Sequence, residues 1–336
     1  MRLFSALTVM LGALAAGGLG TGCLSVSTPA PGAEAPATRP APRITPRALV
    51  QETWGISCLS VASAREAPEH KAELGTQVLL GHSVRVWQEA GSWYLIETAD
   101  GYRAWLEEGT FVRCSKAELD AWNQSELLIV TAWEEVVREQ PAAAAAPVSD
   151  VVAGNLVKKA GRQQDWLEVE LPDGRRGFLP AGSAQPYALW KTTRRPAPEA
   201  IERTARQLLG RPYLWGGNSP KGLDCSGFTK LVFFLNGIEL RRNASQQAEQ
   251  GMAVPLDPEF RHLRKGDLLF FGRRAADGRP PRVTHVGIYL QDKCFIHSSE
   301  RVQVSSLDPD SSIRDQRRLG RLLFARRILP PDAVNQ

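Results

Sequence analysis

Alternating hydrophobic and polar positions dominate the first half of the chain and predict β-strands. Residues 93–105 read as a strand, an Asp-Gly turn and a second strand, and residues 166–178 repeat this pattern. Asp-Gly between two alternating runs is a strong signal for a tight hairpin. Residues 79–86 add a strand that is entered through a turn. We therefore predict two small all-β domains, over 49–115 and 125–190.

The third segment of the chain changes to helical spacing. Apolar residues three and four positions apart predict two helices, and short apolar runs after them predict strands. A helix followed by several antiparallel strands is typical of an α+β domain, which we assign to 197–330. The helices are predicted over 199–209 and 226–235, and the strands over 267–271, 283–290 and 293–297.

The first 23 residues have the pattern of an export signal. Arg2 gives a positive start, residues 3–20 are uncharged and mostly apolar, and small residues precede Cys23. A membrane-spanning helix needs about 20 predominantly apolar residues; this run is short and rich in Gly and Ala, so a cleaved signal peptide fits better. A small-residue run that ends in Cys resembles a bacterial lipobox, which implies a lipid on Cys23 and a membrane-anchored protein facing the periplasm or cell wall. An ordinary signal peptide cleaved nearby is the alternative.

Composition and charge describe a folded protein on a short tether. Residues 24–48 are rich in Pro and Ala and cannot build a core, so we predict an extended tether. Of the 336 residues, 43 % are hydrophobic and 23 % are charged, as in ordinary soluble folds. The net charge of +5 comes from interleaved acidic and basic residues, so we expect no nucleic-acid partner. We expect a monomer.

The chain has five cysteines. Export permits disulfides. Cys58 and Cys114 lie near the two ends of the first predicted β domain, so a disulfide between them is an open alternative.

Cys225 is the candidate nucleophile. It lies at the start of the helix predicted over 226–235, where backbone N–H groups and the helix dipole favour an anion, so we expect a lowered thiol pKa. A thiol nucleophile benefits from a base, and the base from an orienting partner. His285 opens one predicted strand and His297 ends the next. If these strands are antiparallel neighbours, His285 can take the thiol proton while His297 holds its tautomer.

Five short motifs follow one another in the last segment. They are Tyr-Leu-Trp-Gly-Gly from residue 213, Asp-Cys-Ser-Gly-Phe from 224, Gly-Asp-Leu-Leu-Phe-Phe from 266, Thr-His-Val-Gly-Ile-Tyr from 284 and Phe-Ile-His from 295. Together they closely resemble the NlpC-type cell-wall peptidases, which are papain-like enzymes with a Cys-His-His triad. The resemblance implies Cys225 as nucleophile, His285 as base, His297 as third member and Tyr213 as an oxyanion-side residue. We expect no cofactor and no metal.

Two β domains before such a peptidase resemble, more narrowly, the YkfC-like γ-D-glutamyl-L-diamino acid endopeptidases. The pattern Gly-x-x-Val-x-Val, Gly-x-Trp-Tyr-x-Ile and Asp-Gly-Tyr-x-x-Trp-Leu in the first domain resembles bacterial SH3-like barrels. Because the second domain repeats this pattern, we predict two SH3-like barrels, over 49–115 and 125–190. The narrower resemblance implies peptidoglycan-derived peptides with a free N-terminal L-Ala, cut between γ-D-Glu and the diamino acid. It also implies that Glu73 and Tyr102 hold the substrate amine, and that Trp215, Asp224 and Ser226 complete the pocket.

Several alternatives stay open at this point. One alternative is that Cys225 is an inert buried thiol. Another is that it binds zinc together with Cys294 and both histidines. Cys294 and His297 project from opposite faces of one predicted strand, which argues against zinc. Three alternatives concern the function of the whole protein. It could be a wall-binding module with an inactive peptidase domain, an endopeptidase that acts on intact cross-linked wall, or an acyltransferase with the same triad.

Overall fold

The computed structural model describes residues 45–276, 279 and 281–330. The predicted signal peptide, Cys23 and the tether up to residue 44 lie outside the described residues and stay predictions. The last residues of the predicted tether, Arg47 and Ala48, already belong to the first strand. In the described part of the chain, no helix combines the length and apolar character needed to cross a membrane.

The first β domain is one antiparallel sheet whose alternating side chains build its hydrophobic core. Val84, Ile96 and Leu106 are among the buried residues of that core. The strands are β1 (Arg47–Ser57), β2 (Val61–Arg65), β3 (Leu74–Leu79), β4 (Ser83–Ala90), β5 (Trp93–Glu97), β6 (Arg103–Glu107) and β7 (Phe111–Cys114). They lie in the order β3-β2-β6-β5-β4-β1-β7.

The second β domain follows helix α1 (Lys116–Gln124), which begins at a capping box formed by Ser115 and Glu118. Its strands are β8 (Leu127–Val130), β9 (Glu134–Arg138), β10 (Pro147–Val152), β11 (Leu156–Gln163), β12 (Trp166–Glu170), β13 (Arg176–Pro180) and β14 (Ala184–Pro186). A single 3-10 turn (Ala181–Ser183) precedes the last strand. Their order is β10-β9-β13-β12-β11-β8-β14.

The two sheets have the same strand order, position by position, which confirms the internal repeat. Each contains the predicted hairpin, β5–β6 in the first and β12–β13 in the second. The glycines of the two Asp-Gly turns have φ of +81° at Gly101 and +84° at Gly174. This left-handed region is strained for residues with a Cβ, so the turns require glycine.

The last segment combines short helices with a third sheet. The helices are α2 (Tyr187–Thr193), α3 (Pro198–Arg206), α4 (Cys225–Leu235) and α5 (Ala244–Gln247), and a small hairpin joins β15 (Asn218–Ser219) to β16 (Gly222–Leu223). The sheet strands are β17 (Met252–Val254), β18 (Leu268–Arg273), β19 (Arg282–Tyr289), β20 (Cys294–Ser299), β21 (Arg301–Ser306) and β22 (Leu322–Arg327). They lie in the order β17-β22-β18-β19-β20-β21.

Helix α4 packs against the third sheet through its apolar face. Phe228, Leu231 and Val232 share one buried core with Val286 and Ile288 of β19. Both predicted helices and all three predicted strands are found, with ends shifted by at most three residues. The α+β class is thereby confirmed. The three sheets belong to one compact unit.

The suggested disulfide between Cys58 and Cys114 is wrong. β1 pairs with β7 so that Trp54 lies opposite Cys114, whereas the Cys58 N–H donates to the Thr110 carbonyl. The cysteines are therefore out of register by roughly 13 Å, at about 3.3 Å per residue. A disulfide needs Cα atoms within about 7 Å. Both residues are free thiols.

Candidate active site

Helix α4 begins at a carboxylate that several protein donors hold. The Gly227 N–H and the Ser226 hydroxyl donate to Asp224 Oδ1, at 2.7 and 3.1 Å, and the Gly216 N–H donates to Oδ2 at 3.0 Å. Arg242 donates to both oxygens, at 3.1 and 2.5 Å. The Arg242 side chain is 2 % exposed. Asp224 thus fixes the helix start, the preceding loop and Arg242 in one arrangement.

Close backbone contacts hold this helix start against the sheet. A Cβ on Gly227 would lie 2.0 Å from the Gly217 carbonyl oxygen, so only glycine fits. The hydroxyl of Ser298, on β20, donates to the Leu223 carbonyl at 2.6 Å. The contacts of Leu223, before Cys225 in sequence, and of Gly227, after it, therefore fix the position of Cys225.

The thiol of Cys225 lies beside the strand that carries His285. The backbone N–H of Val286, the residue after His285, hydrogen-bonds the sulfur. Burial first, and then the Asp224 carboxylate, raise the pKa of the thiol to about 11, against the lowering effects of the Val286 N–H and Arg242. The expected lowering of this pKa is therefore wrong, because desolvation of the thiolate outweighs the helix N-terminus. Cys225 is a neutral thiol until a base takes its proton.

His285 and His297 contact each other directly. Their strands β19 and β20 are antiparallel neighbours. The distance from His285 Nε2 to His297 Nδ1 is 2.8 Å, and His297 Nε2 lies 3.0 Å from the Ser305 hydroxyl oxygen. If each Nε2–H donates along this row, His285 Nδ1 carries no proton, as a base requires. Within the described ranges, no group of three or more His, Cys, Asp or Glu is placed to hold a metal ion.

Burial keeps both imidazoles neutral. It lowers the pKa of His285 well below its usual value, and the positive charge of Arg318 and the neighbouring His297 add to this. Burial also lowers the pKa of His297 to about 4, opposed by the carboxylate of Asp315, whose Oδ2 lies 3.7 Å from Nε2. Near neutral pH His285 is therefore unprotonated, which is the state in which an imidazole can accept a proton.

The loop before β15 brings a phenol to the thiol. The Tyr213 N–H donates to the Glu300 carbonyl at 2.9 Å, which fixes the loop to the turn between β20 and β21. Burial first, and then the neighbouring Cys225 and the Asp224 carboxylate, raise the pKa of the Tyr213 phenol. The phenol therefore stays protonated and can donate. Trp215, two residues later, is 63 % exposed.

The first β domain contributes a carboxylate–phenol pair next to this loop. The Tyr102 hydroxyl donates to Glu66 Oε1 at 2.6 Å. The pKa of Tyr102 is raised by burial and by Glu66, and the charges of Arg242 and Asp224 also act on it. Tyr102 therefore lies near the start of α4. Glu73, predicted to hold the substrate amine together with Tyr102, is exposed, as Glu66 is, and no side-chain hydrogen bond or ion pair joins Glu73 to another described residue.

Sequence reasoning missed Glu66, Arg242, Ser305 and Arg318. None of these four residues lies in one of the five motifs. In the structure Gly75 lies against the Glu66–Tyr102 pair: a Cβ there would lie 2.2 Å from Glu66 Oε1 and 3.1 Å from the Tyr102 hydroxyl. The glycine in Glu-Leu-Gly-Thr-Gln therefore makes room for the pair.

Buried amides dock the first β domain onto the last segment. The Gln77 N–H donates to Asn218 Oδ1 at 2.9 Å, and the Asn218 N–H donates to Gln77 Oε1 at 3.0 Å. Asn218 Nδ2 adds a bond of 3.2 Å to the Gln77 carbonyl. Lys230 of α4 also pairs with Asp100, with 3.2 Å between Nζ and Oδ2 and both side chains mostly buried. The wall that carries Tyr102 is thus fixed to the helix that carries Cys225.

Comparison with known proteins agrees with this arrangement. Residues 210–321 match the NlpC/P60 family, and residues 64–109 match a domain described as the bacterial dipeptidyl-peptidase Sh3 domain. The gamma-D-glutamyl-L-lysine dipeptidyl-peptidase of Bacillus subtilis is 30 % identical over 239 residues, which cover 66 % of this chain and 71 % of that protein. This chain belongs to the NlpC/P60 family. It is therefore a cysteine peptidase.

A sequence match and a structure match, both from Bacillus cereus, extend the likeness of this NlpC/P60 peptidase. A gamma-D-glutamyl-L-lysine dipeptidyl-peptidase is 29 % identical over 269 residues, covering 77 % of this chain and 76 % of that protein. A crystal structure of an NlpC/P60 family protein has a TM-score of 0.69 and 25 % identity, covering 82 % of this chain and 100 % of that one. The likeness therefore extends through the β domains as well as the peptidase domain.

Proposed function

We propose that this cysteine peptidase hydrolyses murein peptides at the bond between γ-D-Glu and the L-diamino acid. The contact between His285 and His297, beside the Cys225 thiol, is the observation that carries the proposal. Two Bacillus relatives named for the gamma-D-glutamyl-L-lysine bond support the choice of substrate. The active set in this proposal is Cys225, His285, His297 and Tyr213.

In the proposed reaction the neutral thiol and the neutral imidazole act together. Cys225 Sγ attacks the γ-carbonyl carbon of D-Glu while His285 takes the thiol proton. The Tyr213 hydroxyl and the Cys225 N–H donate to the oxyanion. The C–N bond then breaks, and His285 gives its proton to the departing amine of the diamino acid. Water, deprotonated by His285, cleaves the resulting thioester and restores the thiol.

The carboxylate–phenol pair selects a free amine at the other end of the peptide. An ammonium that is buried without a partner is costly, so a carboxylate at the pocket end favours a substrate that carries one. Glu66 suits this role better than Glu73, because Glu66 contacts Tyr102, whereas no side-chain hydrogen bond or ion pair joins Glu73 to another described residue. The expected ligand is the ammonium of N-terminal L-Ala.

The remaining pocket residues divide into two kinds. Asp224 and Ser226 are engaged with Arg242 and with each other, so they hold the pocket in shape. Trp215 has a largely exposed ring, which offers the peptide an apolar surface. The substrate contacts we assign are therefore Tyr102, Glu66 and Trp215.

Digestion of a matched peptide pair tests the substrate proposal. The peptides are L-Ala-γ-D-Glu-L-diamino acid with a free amine and the same peptide acetylated at that amine. We expect efficient release of the diamino acid from the free peptide alone. Equal cleavage of both would contradict the amine pocket and favour the alternative of an endopeptidase on intact wall.

The site of action follows from the same substrate. Murein peptides arise outside the cytoplasm, so we infer an exported enzyme, held at the membrane by a lipid on Cys23. Mass spectrometry of the mature N-terminus tests this. A diacylglyceryl cysteine at position 23 is the expected result, and an unmodified terminus elsewhere contradicts the anchor.

A further inference from the structure

A mostly buried guanidinium that has no hydrogen bond to any described residue lies beside the histidine pair. Arg318, in the loop between β21 and β22, has a side chain that is only 16 % exposed. Its Nε is buried and lacks a hydrogen-bond partner among the residues that the structure describes. In the same ranges its one ion pair is with Asp315, at 3.9 Å between Nε and Oδ2. The positive charge is therefore only weakly compensated.

Arg242 provides the contrast within the same site. Its guanidinium donates twice to Asp224 and once to the Ser226 hydroxyl, so its charge is matched by a carboxylate in contact. Arg318 has no such contact with any residue that the structure describes. A buried charge costs free energy unless it is paired and hydrogen-bonded. This difference points to an anion that Arg318 meets only when a ligand is bound.

The charge of Arg318 acts on the reacting groups themselves. Cys225 is among the groups that influence Arg318, and Arg318 in turn influences Tyr213, His285 and His297. Asp315, which orients the Arg318 backbone through a 3.1 Å hydrogen bond, also approaches His297. The anionic group that pairs with Arg318 therefore belongs to the part of a bound ligand that lies next to the Cys225 thiol.

We propose that Arg318 binds the α-carboxylate of the γ-linked D-Glu residue and makes the enzyme prefer a free α-carboxylate over an α-carboxamide. This inference rests on the proposed function. A glutamate that is linked through its γ-carbonyl keeps its α-carboxylate, a short aliphatic stem away from the scissile carbon. When that carbon is at Cys225, the carboxylate lies in the region that Arg318 influences. A guanidinium recognises a carboxylate through two parallel hydrogen bonds.

The test compares two peptides, L-Ala-γ-D-Glu-L-diamino acid and its α-carboxamide form. Each is digested by the unaltered protein and by Arg318→Gln, Arg318→Lys and Arg317→Gln. Arg317 is the matched control, because it is the adjacent arginine, its side chain is 72 % exposed and it pairs with Glu300 at 3.4 Å. Thermal unfolding of each variant reports whether it is folded.

We expect the unaltered protein to favour the carboxylate peptide in kcat/KM by roughly 10- to 100-fold, the range for one charge-assisted contact. Arg318→Gln should remove this preference mainly by slowing the carboxylate peptide. Arg318→Lys should keep part of it, and Arg317→Gln all of it. The ratio of kcat/KM between the two peptides distinguishes recognition from a merely structural role. Loss of a structural role would slow cleavage of both peptides alike.

Three results would overturn the inference. They are equal cleavage of both peptides by the unaltered protein, an equal loss on both in folded Arg318→Gln, and an unchanged preference in that variant. The first needs no variant at all, so it decides even if Arg318→Gln does not fold. Cleavage of neither peptide at the γ-D-Glu bond would instead contradict the proposed function.

Discussion

The two β domains share one strand order but meet the peptidase domain differently. One constant offset along the chain relates Arg65 to Arg138, and their guanidiniums donate to equivalent loop carbonyls at 2.7 and 2.8 Å. The same offset relates Glu66 to Glu139 and Tyr102 to Arg175. Only Glu66 and Tyr102, in the first domain, lie at the candidate active site.

Tyr102 and Arg175 carry most of this difference. Each follows the glycine of an Asp-Gly turn. Tyr102 donates to Glu66, whereas Arg175 donates to the carbonyls of Val148 and Cys58, each at 3.0 Å, and so joins the second β domain to the first. The same turn position thus carries a pocket residue, Tyr102, in the first domain and a residue that links the two β domains, Arg175, in the second.

A second equivalent pair, Gln77 and Asp150, contacts the peptidase domain in both copies. Gln77 exchanges buried hydrogen bonds with Asn218, while Asp150 pairs with Lys221 where both side chains are half-exposed. A buried polar contact costs more to break than an exposed ion pair. The two sheets thus place equivalent positions next to the peptidase domain. The side chains at those positions decide whether a β domain lines the candidate site or only supports it.

Removing the charge of Glu66 should have the largest effect. Glu66→Gln should lower kcat/KM on the free-amine peptide by roughly 10- to 100-fold, because a charge-assisted contact with the ammonium is lost. The equivalent Glu139→Gln in the second β domain is the matched control and should leave kcat/KM unchanged. Equal losses in both variants would remove the distinction between the two domains.

Exchanging the residues at Gly75 and its equivalent, Val148, should have the next largest effect. Gly75→Val should push Glu66 away from Tyr102 and lower kcat/KM on the free-amine peptide by about tenfold. The unfolding free energy should change by less than about 1 kcal/mol, because the displaced carboxylate is exposed.

Val148→Gly is the reciprocal control and should leave kcat/KM unchanged. Unaltered activity in Gly75→Val would contradict the role of the Glu66–Tyr102 pair.

Breaking the two domain contacts should affect stability unequally. Gln77→Ala leaves the buried Asn218 N–H without its acceptor and should lower the unfolding free energy by about 1–3 kcal/mol. Asp150→Ala should cost less than about 1 kcal/mol. Urea unfolding of the two variants measures the difference, and a larger loss in Asp150→Ala would reverse the assignment.

The thiol pKa should be the least sensitive to changes in the β domains, because the groups that set it lie in the peptidase domain. Since burial raises the pKa of Cys225 to about 11, its alkylation by iodoacetamide should still accelerate above pH 9. Glu66→Gln should give the same pH profile as the unaltered protein. A plateau near pH 7 would indicate a thiolate at rest and contradict the neutral pair.

Local patterns predicted the parts of this molecule that depend on neighbours in sequence. The hairpins at Gly101 and Gly174 follow from Asp-Gly turns, and the helix after Cys225 follows from apolar spacing. The His285–His297 contact was also within reach, because two strands joined by a short turn must pair as antiparallel neighbours.

The remaining site residues depend on packing between segments that are distant in sequence. Arg242 and Arg318 enter the site from loops whose sequence carries no motif, and Glu66 is identified only by its contact with Tyr102. The sign of the Cys225 pKa shift was also missed, because a helix N-terminus is visible in a sequence whereas burial is not. Strand register, equally hidden, separates Cys58 from Cys114.

The central claim is that Cys225 forms a thioester with the γ-carbonyl of D-Glu. Mass spectrometry of L-Ala-γ-D-Glu-L-diamino acid digests, with the unaltered protein and with Cys225→Ala, tests it most directly. The account predicts L-Ala-γ-D-Glu and free diamino acid from the unaltered protein, and intact peptide with Cys225→Ala. Turnover that survives in Cys225→Ala, or cleavage between L-Ala and D-Glu, would contradict it.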